Sequence, residues 1–401
     1  MIPITRMDFG ANDLAAVQRV LQSGWLVQGR EVQQFEDSIA AFCGASHAVA
    51  TTSCTTSLYL SLKALGVDRG DEIIVPAFTW ISTASSVEHC GGKPVFCDIS
   101  LDSFNIDVEQ VESLITPRTV GIMPVHLFGL CADLTGLQKI ADRHGLWMLE
   151  DAACALGSTL NGHSPGQCTA GACFSFHPRK SLTTGEGGML VTNDSALAER
   201  CRRLRNHGAQ ASDFQRHQTK GGFRLATFPE FGFNFRMTDL QACIGNSQFS
   251  RIERLLEGRR RCAGFYDEAL AKFDWLVRPI EPGEQQHSYQ SYVCLFAPEA
   301  PRRDLSNLPR LTEQRTALQT TLENRGVMTR QGTHAPILLD CFSEKYNIKP
   351  DDFPAATIAD SLSVALPLYP GLSNHDLKTV VNELEQFGNN TDLPFTRNRA
   401  A

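Results

Sequence analysis

The sequence predicts an α/β protein: a large domain on a mixed, mostly parallel sheet flanked by helices, then a smaller C-terminal α/β domain. Three observations carry this. The chain has 401 residues, 42% of them hydrophobic, which is enough for a sizeable core and two domains. From about residue 48 to residue 192, short apolar runs alternate with helical stretches, the pattern of a parallel sheet covered by helices. The chemically distinctive side chains fall just after those runs, at the strand edge where such sheets bind ligands.

The first run, in Ala48-Val-Ala-Thr-Thr-Ser-Cys-Thr-Thr-Ser57, leads into small hydroxyl residues. Leu58, Leu60, Leu62 and Leu65 then give a helical pattern that Gly66 ends. Ser53, Thr55 and Thr56 therefore lie near a helix N-terminus, where free amides and the helix dipole favour a phosphate. The same residues serve equally well as an N-cap with no ligand. A second strand, residues 72–75, ends at Pro76, and Trp80 follows in the loop. That indole can cover a planar ligand or simply pack in the core. Further strands are expected at 94–98, 120–125, 146–150, 173–176 and 188–192.

Two of these strands bring complementary chemistry. Trp147-Met-Leu-Glu-Asp151 delivers a carboxylate to a strand end. Lys180 follows the next strand in Phe174-Ser-Phe-His-Pro-Arg-Lys180-Ser-Leu-Thr-Thr-Gly-Glu-Gly-Gly188. A lone lysine is ordinarily a surface charge, and a lone carboxylate at a strand end a cap. Together they are what pyridoxal 5'-phosphate (PLP) needs. The amine forms a Schiff base with its aldehyde, and the acid keeps its pyridine nitrogen protonated.

Beyond the sheet, residues 206–233 read as an irregular excursion near a partner subunit. Thr238-Asp-Leu-Gln241 fits a capping box. Leu240, Ile244, Ile252, Leu255 and Leu256 predict one long helix into the smaller domain. The division is residues 1–250 for the large domain with its N-terminal segment, 251–388 for the small one, and 389–401 as a mobile tail. The small domain is expected to hold a strand at 292–296 and helices near 312–325 and 375–387.

Composition narrows the function. A net charge of −7 without a basic block argues against nucleic-acid binding. No apolar run approaches membrane-spanning length, and Met-Ile-Pro-Ile-Thr-Arg lacks a signal peptide's apolar core. The 13 cysteines are scattered, with no C-x-x-C pair, and read as reduced thiols of a cytoplasmic protein with no metal site. Rossmann and Walker patterns are missing.

Nearly the whole chain resembles the DegT/DnrJ/EryC/StrS group of sugar aminotransferases, PLP enzymes of fold type I. The blocks run in order from Ser23-Gly-Trp-Leu26 through Ser53-Cys-Thr-Thr-Ser-Leu58 and Asp71-Glu-Ile-Ile-Val-Pro-Ala-Phe-Thr-Trp80. Pro94-Val-Phe-Cys-Asp98, Val125-His-Leu-Phe-Gly129, Glu150-Asp-Ala-Ala153, the Lys180 segment and Arg205-Asn-His-Gly208 follow. Gly232-Phe-Asn-Phe-Arg-Met-Thr-Asp239 and Leu366-Pro-Leu-Tyr-Pro-Gly371 complete the series.

The resemblance implies a role for each match. Lys180 matches the Schiff-base lysine, Asp151 the acid at the pyridinium nitrogen and Trp80 the aromatic on the ring. Thr55, Thr56 and Ser175 match phosphate ligands. Asn234 matches an asparagine given to the phosphate by the neighbouring subunit, which implies a homodimer with shared sites. Two departures stand out. Cys54 replaces a common glycine, and Cys154 replaces the glutamine or histidine that contacts the cofactor's phenolic oxygen. The implied reaction moves an amino group from L-glutamate to a keto sugar, usually linked to a nucleoside diphosphate. Arg30, His287, Tyr289, Arg330 and His334 are the candidate substrate contacts. The alternatives are a PLP-dependent sugar dehydratase, whose relatives carry histidine at the Lys180 position, and a regulatory PLP-binding protein.

Overall fold

A computed structural model of the protein describes residues 1–211, 227–391 and 393. Its centre is a seven-stranded sheet. The strands are β1 (His47–Thr51), β2 (Glu72–Pro76), β3 (Lys93–Cys97), β4 (Thr119–Ile122), β5 (Trp147–Asp151), β7 (Gly171–Ser175) and β8 (Gly188–Thr192); a two-residue strand, β6 (Thr159–Leu160), lies outside it. Their order is β1-β8-β7-β5-β4-β2-β3. β8 runs antiparallel to both its neighbours, and the other pairings are parallel.

Both faces of the sheet are buried, which is why its strands read as apolar runs. On β1, Val49 joins one core with the Cys54–Leu65 helix, while Ala48 and Ala50 join another with Phe35 and Ile39 of the Arg30–Phe42 helix. On β7, Cys173 and its neighbours Ala172 and Phe174 divide in the same way. The period of two thus sorts side chains between helix layers. β4 stops at Ile122, short of the expected residue 125, because Pro124 lacks the N–H a ladder needs. Val125 still bridges Asp151.

The expected long helix is two. A capping box holds the start of Asp239–Phe249: the Gln241 amide donates to Thr238 Oγ1 at 3.2 Å, and Thr238 N–H to Gln241 Oε1 at 3.1 Å. The chain then breaks at Ser250 and Arg251 before Ile252–Ala269. Arg251 leaves helical geometry, and its guanidinium reaches Asp13 and the Asp8 carbonyl. Apolar spacing alone could not reveal that capture.

Towards the C-terminus, helices Ile252–Ala269, Leu308–Asn324 and Asn374–Asn390 pack around a three-stranded sheet, with Trp275, Tyr266, Tyr292 and Phe296 fully buried. Ile2, grouped by sequence with the large domain, bridges Val327 and joins this core. The tail expected from residue 389 begins inside a helix, since Asn390 is still helical. Residues 392 and 394–401 lie outside the described residues, as do 212–226 of the expected excursion. At the root of that excursion Asn206 bridges Asn234. Among the described residues no helix is long and apolar enough to cross a membrane.

Candidate active site

Asp151 ends β5 and is buried. Thr83 Oγ1 donates to its Oδ2 at 2.7 Å, and the Ala153 amide to Oδ1 at 3.1 Å. Burial dominates and raises the carboxyl above its ordinary range; the two hydrogen bonds, and then Lys180, pull the other way. Such an acid lacks a full cationic partner, and a protonated ring nitrogen would supply one. Behind it stands a buried pair. The Ala132 amide donates to His126 Nδ1, so the ring proton sits on Nε2 and is donated to Glu150 at 2.6 Å. Glu150 also accepts from the Gly166 amide and the Thr169 hydroxyl. The His126 N–H donates to the Asp151 carbonyl, fixing the strand end.

Lys180 follows β7 in a turn closed by its own N–H to the His177 carbonyl. Its Nζ donates to Cys154 Sγ at 3.1 Å, so the departing cysteine lies within reach of the amine. Its carbonyl accepts from Arg259 Nη2 at 3.1 Å, and Arg259 Nη1 donates to the Gln290 carbonyl at 3.0 Å. Burial lowers Arg259 to about 10. This one side chain ties the lysine loop to the segment at Gln290.

Beside them, Cys54–Leu65 starts with its first amides free of intrahelical acceptors. The hydroxyl of Thr56 is consumed by the cap: it accepts from Ser53 N–H at 3.0 Å, while Thr56 N–H donates to Ser53 Oγ at 3.2 Å. Ser53, Cys54 and Thr55 face the cleft, but Thr56, expected as a phosphate ligand, does not. A Cβ on Gly188 would lie 2.3 Å from the Ser53 carbonyl, so only glycine lets β8 begin against this turn.

These groups share a cleft of about 900 Å³, which residues 290–291 and others between 315 and 368 also line. Trp80 lines it with 53% of its surface exposed, so an aromatic face is left open to a ligand. Cys154, Ser175, Arg330 and His334 line it too, and the His334 ring lies 5.8 Å from that of Trp80. An amine, a buried acid, a helix N-terminus and an open indole are a donor set that fits PLP.

Three expected substrate contacts lie elsewhere. Arg30 is exposed at the start of its helix, away from the cleft. His287 and Tyr289 are buried outside it, with rings stacked 3.9 Å apart and the Tyr289 amide donating to His287 Nδ1 at 2.8 Å. Packing within this turn, where Tyr289 has a φ of 49°, occupies both rings. Asn234 is exposed and outside its own chain's cleft. Sequence reading missed Thr83 and Arg259, whose partners are distant in sequence. It also passed over Arg179, which lines the cleft; its place beside Lys180 was the available signal.

Burial lowers His287 to about 3. The unfolded chain, with an ordinary histidine near 6.5, then binds one more proton between those values. Stability present above pH ~6.5 is therefore lost as pH falls toward 3, by on the order of 1 kcal/mol per unit. His287→Gln should flatten the urea midpoint against pH in that window; an unchanged slope would refute the assignment.

Fold and site converge on a PLP-dependent aminotransferase, and comparison with known proteins agrees. Residues 8–385 match the model of the DegT/DnrJ/EryC1/StrS aminotransferase family. The chain belongs to this family. It is 34% identical over 392 residues to the spore coat polysaccharide biosynthesis protein SpsC of Bacillus subtilis (strain 168), covering 98% of each chain. It is 34% identical to GDP-perosamine synthase of Caulobacter vibrioides, covering 94% of this chain and 95% of that one. Among solved structures, Helicobacter pylori PseC, an aminotransferase involved in the biosynthesis of pseudoaminic acid, gives a TM-score of 0.87 at 26% identity, covering 97% of this chain and 99% of that one. DesV of S. venezuelae gives 0.84 at 30% identity, covering 96% and 98%. Family membership implies PLP as the cofactor and a sugar as the substrate class.

Proposed function

We propose that the protein moves an amino group from L-glutamate to a keto sugar carried on a nucleoside diphosphate, in amino-sugar biosynthesis in the cytoplasm. The observation that carries this is the retained Lys180 amine in one cleft with the buried Asp151. A chain with histidine at that position could not hold the cofactor aldehyde and regenerate an amine.

Lys180 would hold PLP through its aldehyde, Asp151 at the ring nitrogen, Trp80 at the ring face, and Ser53, Thr55 and Ser175 at the phosphate. When bound, PLP supplies the electron sink that lets a proton leave the carbon bearing the amine. Lys180 Nζ takes that proton and returns one. Arg259 fixes the backbone from which the amine works. Mixing the protein with glutamate should bleach the cofactor's visible colour and release 2-oxoglutarate. Mass spectrometry of keto nucleotide sugars should then show a ketone oxygen replaced by an amine. A sugar that loses a hydroxyl without gaining nitrogen would overturn the reading in favour of dehydration.

The proposal includes a symmetric dimer in which each chain lends Asn234 to its neighbour's phosphate site. Its exposure, away from its own cleft, supports this. Lys180→Ala and Asn234→Asp should each be nearly inactive alone, the second because a carboxylate repels phosphate. Mixed with confirmed subunit exchange, they should recover roughly a quarter of wild-type activity, since one site in each heterodimer is intact and about half the dimers are mixed. No recovery would mean that Asn234 does not act across the interface.

A further inference from the structure

The cleft carries two guanidinium groups that no carboxylate among the described residues pairs with. Arg179 immediately precedes Lys180 on the large domain. Arg330 lies on the small-domain segment whose backbone pairs with Ala365. Both line the cleft. Neither guanidinium has a hydrogen bond or ion pair among the described residues, whereas Arg118, Arg143 and Arg251 are each paired with a carboxylate. The cleft's own carboxylates, Asp151, Glu186 and Glu323, form no ion pair with them. Burial first, and then Arg330, pushes Arg179 below the usual guanidinium range, so the two charges feel each other. Like charges at a partly desolvated cleft repel, and one shared anion removes the repulsion.

We propose that Arg179 and Arg330 form an oxyanion clamp, one jaw on each domain, holding an anionic group of a substrate while its reacting carbon lies at Lys180. This rests on the proposed reaction, which brings two oxyanions to the cleft: the carboxylates of the amino donor and the diphosphate of the sugar nucleotide. Guanidinium forks bind either bidentately.

The test uses the holoenzyme and its Arg179→Gln, Arg330→Gln and double variants. Both arginines line the open cleft with much of their surface exposed and belong to no core, so the variants should fold. Two unreactive probes, glutarate and inorganic pyrophosphate, are titrated calorimetrically, and KM is measured for glutamate and for the keto sugar nucleotide. At least one probe should bind wild type, and each single variant should weaken it about tenfold or more. The double variant should be little weaker than either single one, because one anion needs both jaws. KM for the matching substrate should rise in parallel while kcat holds within about threefold. Loss confined to glutarate assigns the clamp to the donor, and loss confined to pyrophosphate to the acceptor. Probes that ignore both arginines, or that fail to bind wild type, overturn the clamp. If a probe is gripped by both arginines but glutamate yields no 2-oxoglutarate, the reaction fails and the clamp stands.

Discussion

Lys180→Ala should abolish amino transfer, with kcat falling by on the order of 10⁴ or more, while the protein stays folded. The side chain removed makes one hydrogen bond among the described residues, to Cys154 Sγ at 3.1 Å. The loop is held through its backbone, by the His177 carbonyl and by Arg259, and alanine keeps both bonds. The melting temperature should therefore barely move. PLP should still bind through the helix N-terminus, Trp80 and Asp151. Borohydride reduction of the wild type, followed by peptide mass analysis, should find the pyridoxyl group on Lys180. A label on another lysine, or substantial turnover by the alanine variant, would remove Lys180 from the mechanism.

Asp151→Asn should bind PLP yet lose about 10²–10⁴ in kcat. The substitution isolates charge from shape. The carboxylate accepts from Thr83 Oγ1 and from the Ala153 amide. An asparagine can offer its carbonyl to Ala153 and its amide to Thr83. The threonine hydroxyl can accept it and turn its own proton to Thr79 Oγ1, 3.0 Å away. Every buried polar atom then keeps a partner, and the fold survives. What disappears is the negative charge that would hold a ring nitrogen protonated. Near-normal turnover would show that this charge is unnecessary. Cys154→Gln is the milder companion: if the thiol merely stands in for a longer contact, glutamine should cost less than about tenfold in kcat. A larger loss would show a site rebuilt around the smaller side chain.

Some of this protein was written locally. β2, β5, β7 and β8 were readable from apolar runs because a strand buried on both faces has nothing polar to interrupt it. Asp151, Lys180, Trp80 and Thr55 stood out as candidates because a parallel sheet gathers its strand ends at one edge, so the residues following each run are worth weighing; Ser175 came from the family resemblance alone. The capping box at Thr238 needed only four residues to declare itself.

Tertiary structure alone decided the rest, since partners remote in the chain leave no local pattern. Thr83 and Asp151 are 68 residues apart, and Arg259 and Lys180 are 79 apart. Ser53 and Thr56 capped one another, leaving Thr55 to face the cleft. Stacking took His287 and Tyr289 into the core, although as sequence they look like loop ligands. Arg179 and Arg330, 151 residues apart in the chain, came into one cleft. Sequence set which chemistry arrives at the sheet edge, because strand periodicity and strand ends are local. Packing of distant segments set which side chains meet there, because burial and hydrogen-bond partners are properties of the folded molecule.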